Sequence, residues 1–345
     1  MKKTTLSIFF ILICTLFVKS QSCETVTTAE DIQELLASNS RSTGGSLSIK
    51  YFDVYHHIFL NDAGELSSTV WSEEKISNLM DEVNNTFLPA YIQFKSCITY
   101  HSDSYYNTAV WLPDAVDDYK VPDYMNIYYA TSFNASRCGG TAFYPWSNHP
   151  GNLEVDCPDY QNSMLATLTH EIGHSFGLLH THSGGGSSST IPNCGTEELV
   201  NGTNCATTGD LICDTPADPN IDFQNSSNCY QNINPYNCQD NNGEYYNPDP
   251  TNFMSYSWPD CKSNFSNEQE VRMNYYASSS DMSPFLSSTT NFSNATYSSN
   301  QTFSDHNIEF NSLSISNGAD VTLNACNVTI DNLTINSGSK ITIQH

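Results

Sequence analysis

The sequence predicts an α+β fold in which a twisted mixed sheet is covered by a backing helix and a second helix, above an irregular lower region. A small all-β region follows at the C-terminal end. Three observations carry this prediction. Alternating and helical patterns of apolar residues interleave between residues 48 and 176. Residues 182–260 are rich in Gly, Ser, Asn and Cys, and the residues after Phe310 repeat a short alternating unit.

The strands are predicted from apolar–polar alternation combined with β-branched and aromatic residues. They are 48–60, 92–100, 124–130 and 141–144. The last of these is short and is expected at the edge of the sheet. An extended substrate could pair with such an edge through main-chain hydrogen bonds.

The backing helix is predicted over residues 71–87, because apolar residues recur there at helical spacing and Ser72 can cap the N-terminus. The second helix is predicted over 162–176. Its apolar face should contact the core and leave its histidines toward a cleft. The residues of that face are Leu165, Leu168, Ile172 and Phe176.

The second helix carries the pattern H-E-x-x-H-x-x-G-x-x-H. Residues four apart share one helix face, so His170 and His174 can present two imidazoles to one metal ion. Glycine tolerates left-handed backbone angles, so the chain can turn at Gly177 and return His180 as a third ligand. Three protein ligands leave a fourth zinc position open for water, which is typical of a catalytic site. Glu171 lies next to the first ligand, where its carboxylate can act on that water.

This long motif resembles that of the metzincins, zinc peptidases with a methionine-containing turn beneath the metal. The resemblance implies that Met254, in the segment Asn-Phe-Met-Ser-Tyr, is the methionine of that turn. It also implies that Tyr256 lies near the zinc. There its hydroxyl can bind the metal or the oxyanion of the tetrahedral intermediate.

Further motifs resemble one branch of these enzymes, the pappalysins, including the ulilysin-like members. They occur in the order H-T, G-D-x-x-x-D-T-P, N-x-M-x-Y, C-x-x-x-F and Q-x-x-R-M. The resemblance spans about residues 48–283 and implies a metzincin-type catalytic domain with Zn²⁺. One departure is His182, where relatives usually have an aromatic residue.

The G-D-x-x-x-D-T-P block is a candidate calcium site. The carboxylates of Asp210 and Asp214 and the carbonyl of Thr215 are oxygen donors suited to Ca²⁺. The resemblance implies Ca²⁺ here, because ulilysin-like relatives bind it at this block. The alternative is that these carboxylates cap turns.

The predicted divisions of the chain follow from composition at its two ends. Residues 1–20 contain two lysines followed by an apolar run, which is the pattern of a secretory signal peptide; the run is too short to favour a membrane anchor.

In the tail, 313–323 resembles 333–343 at an offset of twenty, so two stacked β-turn-β rungs are expected. They could dock on the catalytic domain, oligomerise or serve as an anchoring signal. The divisions are 1–20 signal peptide, 21–47 propeptide or N-terminal extension, 48–285 catalytic domain, 286–309 Ser/Thr/Asn-rich linker and 310–345 β-repeat tail.

Twelve cysteines in a secreted chain indicate disulfide bonds. Cys14 belongs to the leader, and the odd number that remains leaves at least one without a partner in the chain. The family resemblance implies a Cys229–Cys261 pair. The other predicted pairs are Cys238 with Cys205 or Cys194, and Cys138 with Cys157.

Cys23 is the candidate for the odd cysteine. Its thiolate could occupy the open zinc position and keep a zymogen latent until the N-terminal segment is removed. The competing interpretation is a structural disulfide from Cys23 to Cys97 or Cys326.

The net charge of −25 argues against nucleic-acid binding, which needs basic patches. It could attract basic peptides or only maintain solubility. Beyond the leader, no segment is expected to span a membrane.

Asn-x-Ser/Thr sequons would carry glycans in a eukaryotic secretory pathway. They lie at Asn84, Asn134, Asn201, Asn225, Asn264, Asn291, Asn294, Asn300, Asn327 and Asn332.

These patterns predict a secreted, extracellular zinc endopeptidase that cleaves protein or peptide substrates with a zinc-bound water and Glu171 as general base. The alternative is a non-catalytic adhesive or matrix glycoprotein built on an inactive metzincin frame. The intact Glu171 favours the enzyme. The sequence carries no prediction of substrate specificity or oligomeric state.

Overall fold

The computed structural model describes residues 25, 28, 31–35, 48–66, 71–108, 112–130, 139–157, 163–183, 197–219, 229, 234 and 237–344. The predicted signal peptide and the Ser/Gly stretch 38–46 lie outside these residues. Among the described residues, no helix combines the length and apolar character needed to cross a membrane.

A five-stranded mixed sheet forms the centre of the N-terminal part, in the order β2-β1-β3-β5-β4. Strand β4 lies at one edge and pairs antiparallel with β5, whereas the other neighbours pair in parallel. The strands are β1 Lys50–Leu60, β2 Ile92–Ser102, β3 Met125–Ala130, β4 Gly139–Ala142 and β5 Asn152–Asp156.

The α-helices beside this sheet include α1 Glu73–Phe87, α2 Ser104–Thr108, α3 Leu112–Tyr119, α4 Met164–Ser175 and α5 Asn267–Tyr276. Residues 31–35 are helical as well. The Ser72 side chain accepts a hydrogen bond from the backbone of Lys75, so the predicted N-cap of α1 is confirmed. Short 3₁₀ turns lie at Leu88–Ala90, Pro259–Cys261 and Ser283–Phe285.

The main core lies where α1 and α4 pack against each other and against the sheet. Phe52 of β1 and Phe176, just after α4, meet edge to face with ring centroids 5.1 Å apart. Leu168 and Ile172 are fully buried in this core, as their helical spacing predicts, and Leu165 packs against it in part. His170 and His174 therefore lie on the face of α4 opposite the main core.

The predicted strands and helices are present with ends shifted by a few residues, but β5, α2, α3 and α5 were not predicted. Strand β5 reads Asn-Leu-Glu-Val-Asp, with only two apolar residues between turn-forming ends. Helix α3 reads Leu-Pro-Asp-Ala-Val-Asp-Asp-Tyr, whose proline and acidic residues resemble a loop. Proline near a helix start is compatible with helix because its missing N–H would have no intrahelical partner there.

Residues 289–344 form three stacked rungs of a parallel β-helix. Each strand pairs in parallel with the strand about twenty residues away, which gives three sheets of three strands. The middle rung is buried: Leu313, Ile315, Val321 and Leu323 are inaccessible to solvent. The strands are β6 Thr289–Phe292, β7 Ala295–Tyr297, β8 Gln301–Ser304, β9 Asn307–Phe310, β10 Leu313–Ile315, β11 Asp320–Asn324, β12 Asn327–Ile330, β13 Leu333–Ile335 and β14 Lys340–Gln344.

Two predictions for this region were wrong. Residues 286–309 are not a linker, because most of them form the first rung and the start of the second. The predicted two rungs are therefore three. The abundant Ser, Thr and Asn suggested a linker, but Phe292, Tyr297 and Phe303 pack into the β-helix core. Polar residues on the outer face hid this alternation.

The β-helix docks on β1 and β2, on the side of the sheet away from β4. Leu286 forms a bridge with Phe52, and Nδ1 of His306 lies 2.7 Å from a carboxylate oxygen of the buried Asp53. A Cys97–Cys326 disulfide joins β2 to the turn between the second and third rungs across 229 residues. Of the three roles considered for the tail, docking on the catalytic domain is thus observed.

The disulfides correct part of the predicted framework. Cys97 and Cys326 pair with each other, so neither is available to Cys23, which itself lies outside the described residues. The Cys229–Cys261 prediction is confirmed.

The disulfides also exclude one of the two partners predicted for Cys238. Cys205 pairs with Cys213, eight residues away, so Cys238 with Cys205 was wrong. Cys157 and Cys238 are also disulfide-bonded. Their predicted partners Cys138 and Cys194 lie outside the described residues.

Candidate metal centre and active site

Three histidine side chains converge at the C-terminal end of α4. The Nε2 atoms of His170 and His174 are 3.2 Å apart, and the Nε2 atom of His180 lies 3.1 Å and 3.0 Å from them. All three residues are buried. Among the described residues, this is the one group of three or more potential ligand side chains close enough to hold a single metal ion.

The tautomers of two of these rings are set by backbone carbonyls. Nδ1 of His170 donates to the carbonyl of Phe253 at 2.7 Å, and Nδ1 of His174 donates to that of Leu178 at 2.7 Å. Each of these neutral rings then keeps a lone pair on Nε2. Since the unprotonated Nε2 atoms of His170 and His174 cannot donate hydrogen bonds to each other, the cluster is a candidate site for a cation.

Burial favours the neutral, metal-binding form of these histidines. It lowers the pKa of His174 to about 4 and holds the pKa values of His170 and His180 well below the usual value. The spacing suits zinc as well. Tetrahedral zinc with nitrogen ligands at its usual bond lengths requires nitrogens about 3.3 Å apart. The donor set, its burial and its spacing all fit this ion.

Gly177 makes the return of the third histidine feasible. Its φ of +84° lies in the left-handed region that side chains disfavour. A Cβ atom there would lie 2.4 Å from the ring of Tyr276. The turn therefore needs glycine for two reasons, its backbone angle and the close packing of α5. It follows α4 directly, and the chain then leads to His180.

A turn at residues 252–255 lies beneath the centre, and Met254 is completely buried there. Its sulfur would be 2.7 Å from a Cβ atom at Gly173, so the lack of a side chain on α4 allows the close approach. The backbone N–H of Met254 donates to the side chain of Asn252, whose amide in turn bonds Gln269 of α5. The turn is thus held from both sides.

The Q-x-x-R-M motif lies in α5, where its Gln and Arg side chains each hold another part of the chain. Gln269 completes a capping box with Ser266 at the start of this helix. Arg272 is buried and donates to the backbone carbonyls of Asp210 and Leu211. Gln269 and Arg272 thus attach the methionine turn and the loop at 210–211 to α5, the helix that packs on Gly177.

Glu171 is fully buried on the side of α4 that faces β4. A Cβ atom at Gly140 would lie 2.7 Å from its Cγ and 2.9 Å from its Oε1. Glycine at this position therefore lets the edge strand approach the carboxylate closely. The arrangement places the predicted base beside both the histidine cluster and an edge strand.

Tyr256 packs against the third histidine. Its ring centroid is 4.8 Å from that of His180 and 4.3 Å from that of His182. His182 in turn stacks on His180 with centroids 4.8 Å apart and planes 9° from parallel. A planar ring is thus retained at position 182, where the sequence departs from the expected aromatic residue.

Contacts of the N-terminal segment with this site were not specified by the sequence. The Thr25 hydroxyl accepts a hydrogen bond from the backbone N–H of Ala142 at 2.9 Å. It also lies 3.4 Å from the Ala142 carbonyl and 3.4 Å from Oε2 of Glu171. Farther along, Asp31 accepts a hydrogen bond from the indole of Trp146 at 2.5 Å, and the buried Leu35 packs nearby. Thr25 therefore lies against the edge strand and the base, and residues 31–35 pack beside Trp146.

The predicted calcium ligands make other contacts. Both carboxylate oxygens of Asp214 accept hydrogen bonds at the start of α5, from the hydroxyl of Ser266 and the backbone of Glu268. Both oxygens of Asp210 accept from the hydroxyl of Thr215. These contacts match the capping alternative, and the Ca²⁺ prediction gains no support.

The sheet, the two packed helices and the three-histidine centre define a metallopeptidase domain. A peptidase family model described as "Pregnancy-associated plasma protein-A" matches residues 107–277, which include the histidines, Met254 and α5. Residues 107–277, just under half of the chain, thus match the pappalysins, a family within the metzincins.

Curated relatives are similar to parts of the chain. Human pappalysin-1 is 30% identical over 158 residues, which are 44% of this chain but 9% of that protein. An extracellular metalloprotease of Neurospora crassa is 34% identical over 111 residues, covering 32% of this chain and 29% of the relative. An extracellular metalloprotease of Colletotrichum graminicola is 25% identical over 288 residues, covering 74% and 90%. The chain thus spans less than a tenth of pappalysin-1 and nearly the full length of one fungal relative.

Substitution of Gly177 by alanine should release the third histidine. We expect Gly177→Ala to lower both zinc content after dialysis and the free energy of unfolding, because the new Cβ atom meets Tyr276. The matched control is Gly202→Ala, which has φ +69° and open space around it. That control should show backbone strain alone, about 1–2 kcal/mol, with full zinc content. Equal zinc content and equal stability in the two variants would contradict this role.

Proposed function

We propose that this protein is a secreted zinc-dependent endopeptidase. One observation carries the proposal: three buried imidazole lone pairs converge beside a buried glutamate at the edge of a sheet. Residues 48–285 would form the catalytic domain. The peptidase family and the metalloprotease names of the fungal relatives support the reaction class.

In this proposal, His170, His174 and His180 hold zinc as neutral ligands. When bound, zinc acts as a Lewis acid that lowers the pKa of a water molecule and polarises the scissile carbonyl. The carbonyls of Phe253 and Leu178 orient two of the rings and increase their basicity. The protein's contribution is thus a rigid, dry ligand set.

Glu171 acts as the general base. It takes the proton from the attacking water and delivers it to the leaving amine. Glu171 is a buried residue of α4 that packs against β4. This burial excludes bulk water and would hold the carboxylate beside the peptide to be cleaved. Tyr256 lies on the other side of the centre, against His180, where its hydroxyl can stabilise the oxyanion.

The substrate would bind as an extended strand along β4. In the β4–β5 pair, the backbone N–H of Ala142 is directed to the outer side, where it now bonds the Thr25 side chain. Such outward main-chain groups bind a peptide whatever its side chains. A peptide paired there would pass beside Glu171, which packs against Gly140 of the same strand.

Glu171→Gln tests whether Glu171 is the general base. The variant should keep zinc and the native fold but lose at least about a hundredfold of its activity on a quenched fluorescent peptide, because removing a general base costs about 10²–10⁴ in rate. Glu82→Gln, an exposed change on α1, is the matched control and should be fully active. A processed wild-type protein that binds zinc yet cleaves neither casein nor a peptide library would instead favour the non-catalytic glycoprotein.

Tyr256→Phe separates catalysis from packing. Its ring contacts with His180 and His182 should persist, so zinc content and stability should not change. We expect kcat to fall by roughly 10- to 1000-fold with little change in KM, as for loss of one oxyanion donor. A rise in KM alone would assign Tyr256 to substrate binding.

The N-terminal segment would keep the enzyme latent before processing. Thr25 occupies part of the place proposed for substrate, because its hydroxyl accepts a hydrogen bond from the outward backbone N–H of Ala142. Asp31 anchors the segment, since it accepts hydrogen bonds from Trp146 and from the backbone and side chain of Thr28. Secretion fits the leader-like residues 1–20 and the word "extracellular" in the names of the fungal relatives. The Cys23 thiol stays a predicted part of the latency.

Substitution of Asp31, whose hydrogen bonds hold the N-terminal segment in place, should raise the peptidase activity of the unprocessed protein. Asp31→Ala in the unprocessed protein should raise peptide hydrolysis several-fold, because it removes the acceptor for Trp146 and Thr28. Glu34→Ala, an exposed change in the same segment, is the control and should stay latent. Intact mass should be recorded in each assay to exclude cleavage of the segment. Unchanged latency of Asp31→Ala, or equal activation of both variants, would refute the anchor.

A further inference from the structure

The last rung of the β-helix, defined as β12, β13 and β14 (Asn327–Gln344), has an open apolar end. Leu333, Ile335 and Ile343 are exposed by 47%, 42% and 48%. Their register partners in the middle rung are fully buried. Those partners are Leu313, Ile315 and Leu323. The repeat thus places core residues at positions that nothing covers among the described residues.

The backbone of this rung is open as well. Strands β12, β13 and β14 are each the outer strand of a sheet and pair on one side only among the described residues. Exposed strand edges with unpaired N–H and C=O groups are templates for pairing with another chain. The opposite end differs in degree. The apolar residues of the first rung, such as Phe292 and Phe303, are partly buried against the β-helix core, whereas in the last rung this holds for Val328, Ile330 and Ile341 but not for the three exposed residues.

The charge of this surface fits a second copy of the same chain. Residues 327–344 contain one acidic residue, Asp331, and one basic residue, Lys340, whereas the whole chain carries −25. Two copies would repel over most of their surfaces but not here. An interface of standard size uses about 20–30 residues from each partner, which the terminal rung approaches.

We propose that two copies of this protein associate tail to tail through their terminal rungs. A twofold axis in the plane of the open end would direct the strands of the two copies antiparallel. It would bring Leu333, Ile335 and Ile343 of each copy against those of the other. An isologous contact of this kind closes on itself and stops at the dimer. The catalytic site lies at the β4 edge, across the sheet from the docked β-helix, so dimerisation leaves the cleft accessible.

Sedimentation velocity on the full secreted chain between about 1 and 100 µM tests the association. The wild type should sediment as a dimer at the higher concentrations. Ile335→Asp places two like charges in the contact and should shift the dissociation constant at least tenfold or yield monomer. Thr302→Asp adds the same charge to an exposed position of the first rung and should remain dimeric. Wild type that is monomeric throughout, or dimer that survives Ile335→Asp unchanged, would overturn the proposal.

Hydrogen exchange on the unmodified protein covers the case in which Ile335→Asp unfolds the last rung. Backbone amides in β12–β14 should become more protected as protein concentration rises, while those in β1 should not change. Protection that appears in another region, or no dependence on concentration, would contradict the tail-to-tail contact. Glu171→Gln protein should dimerise like the wild type, so failure of this proposal and failure of the proposed peptidase function are distinguishable.

Discussion

Three imidazole Nε2 atoms that point at one another are the arrangement on which the candidate site depends. Nε2 atoms 3.0–3.2 Å apart repel unless a cation lies among them. The chain maintains this geometry with contacts that are themselves buried: two backbone carbonyls accept the Nδ1 protons of His170 and His174. A third constraint is the turn at Gly177, which directs the chain back toward the centre. Metal binding and folding of this region are therefore expected to be coupled.

The surrounding elements explain why the arrangement can persist. Met254 contacts α4 at Gly173, and α5 fastens the methionine turn through Gln269 and the loop at 210–211 through Arg272. Each contact uses a position where a small residue permits close packing or where a buried polar group is hydrogen-bonded. The β-helix adds a separate hydrophobic core, which is linked to the sheet by the Cys97–Cys326 disulfide. The fold thus supports the cleft from below and from the far edge of the sheet.

The sequence predicted the part of the site that depends on local geometry. Helical spacing brings His170 and His174 onto one face, and a glycine at a fixed offset allows the return of His180. The contact between Thr25 and Ala142 could not be predicted, because it joins residues 117 apart through a single side chain. The same holds for the Cys97–Cys326 bond, whose separation of 229 residues has no local signal. The first β-helix rung was missed because polar outer residues obscured the inward apolar ones.

The central claim is that the three histidines form one metal centre, and X-ray absorption at the zinc edge tests it directly. The measurement requires processed protein loaded with one equivalent of zinc. A three-histidine centre should give a zinc shell with three imidazole nitrogens at about 2.0–2.1 Å and one further oxygen. That histidine signal should weaken in His180→Ala relative to wild type. A zinc shell without three histidines, or protein that retains no stoichiometric zinc, would contradict the account.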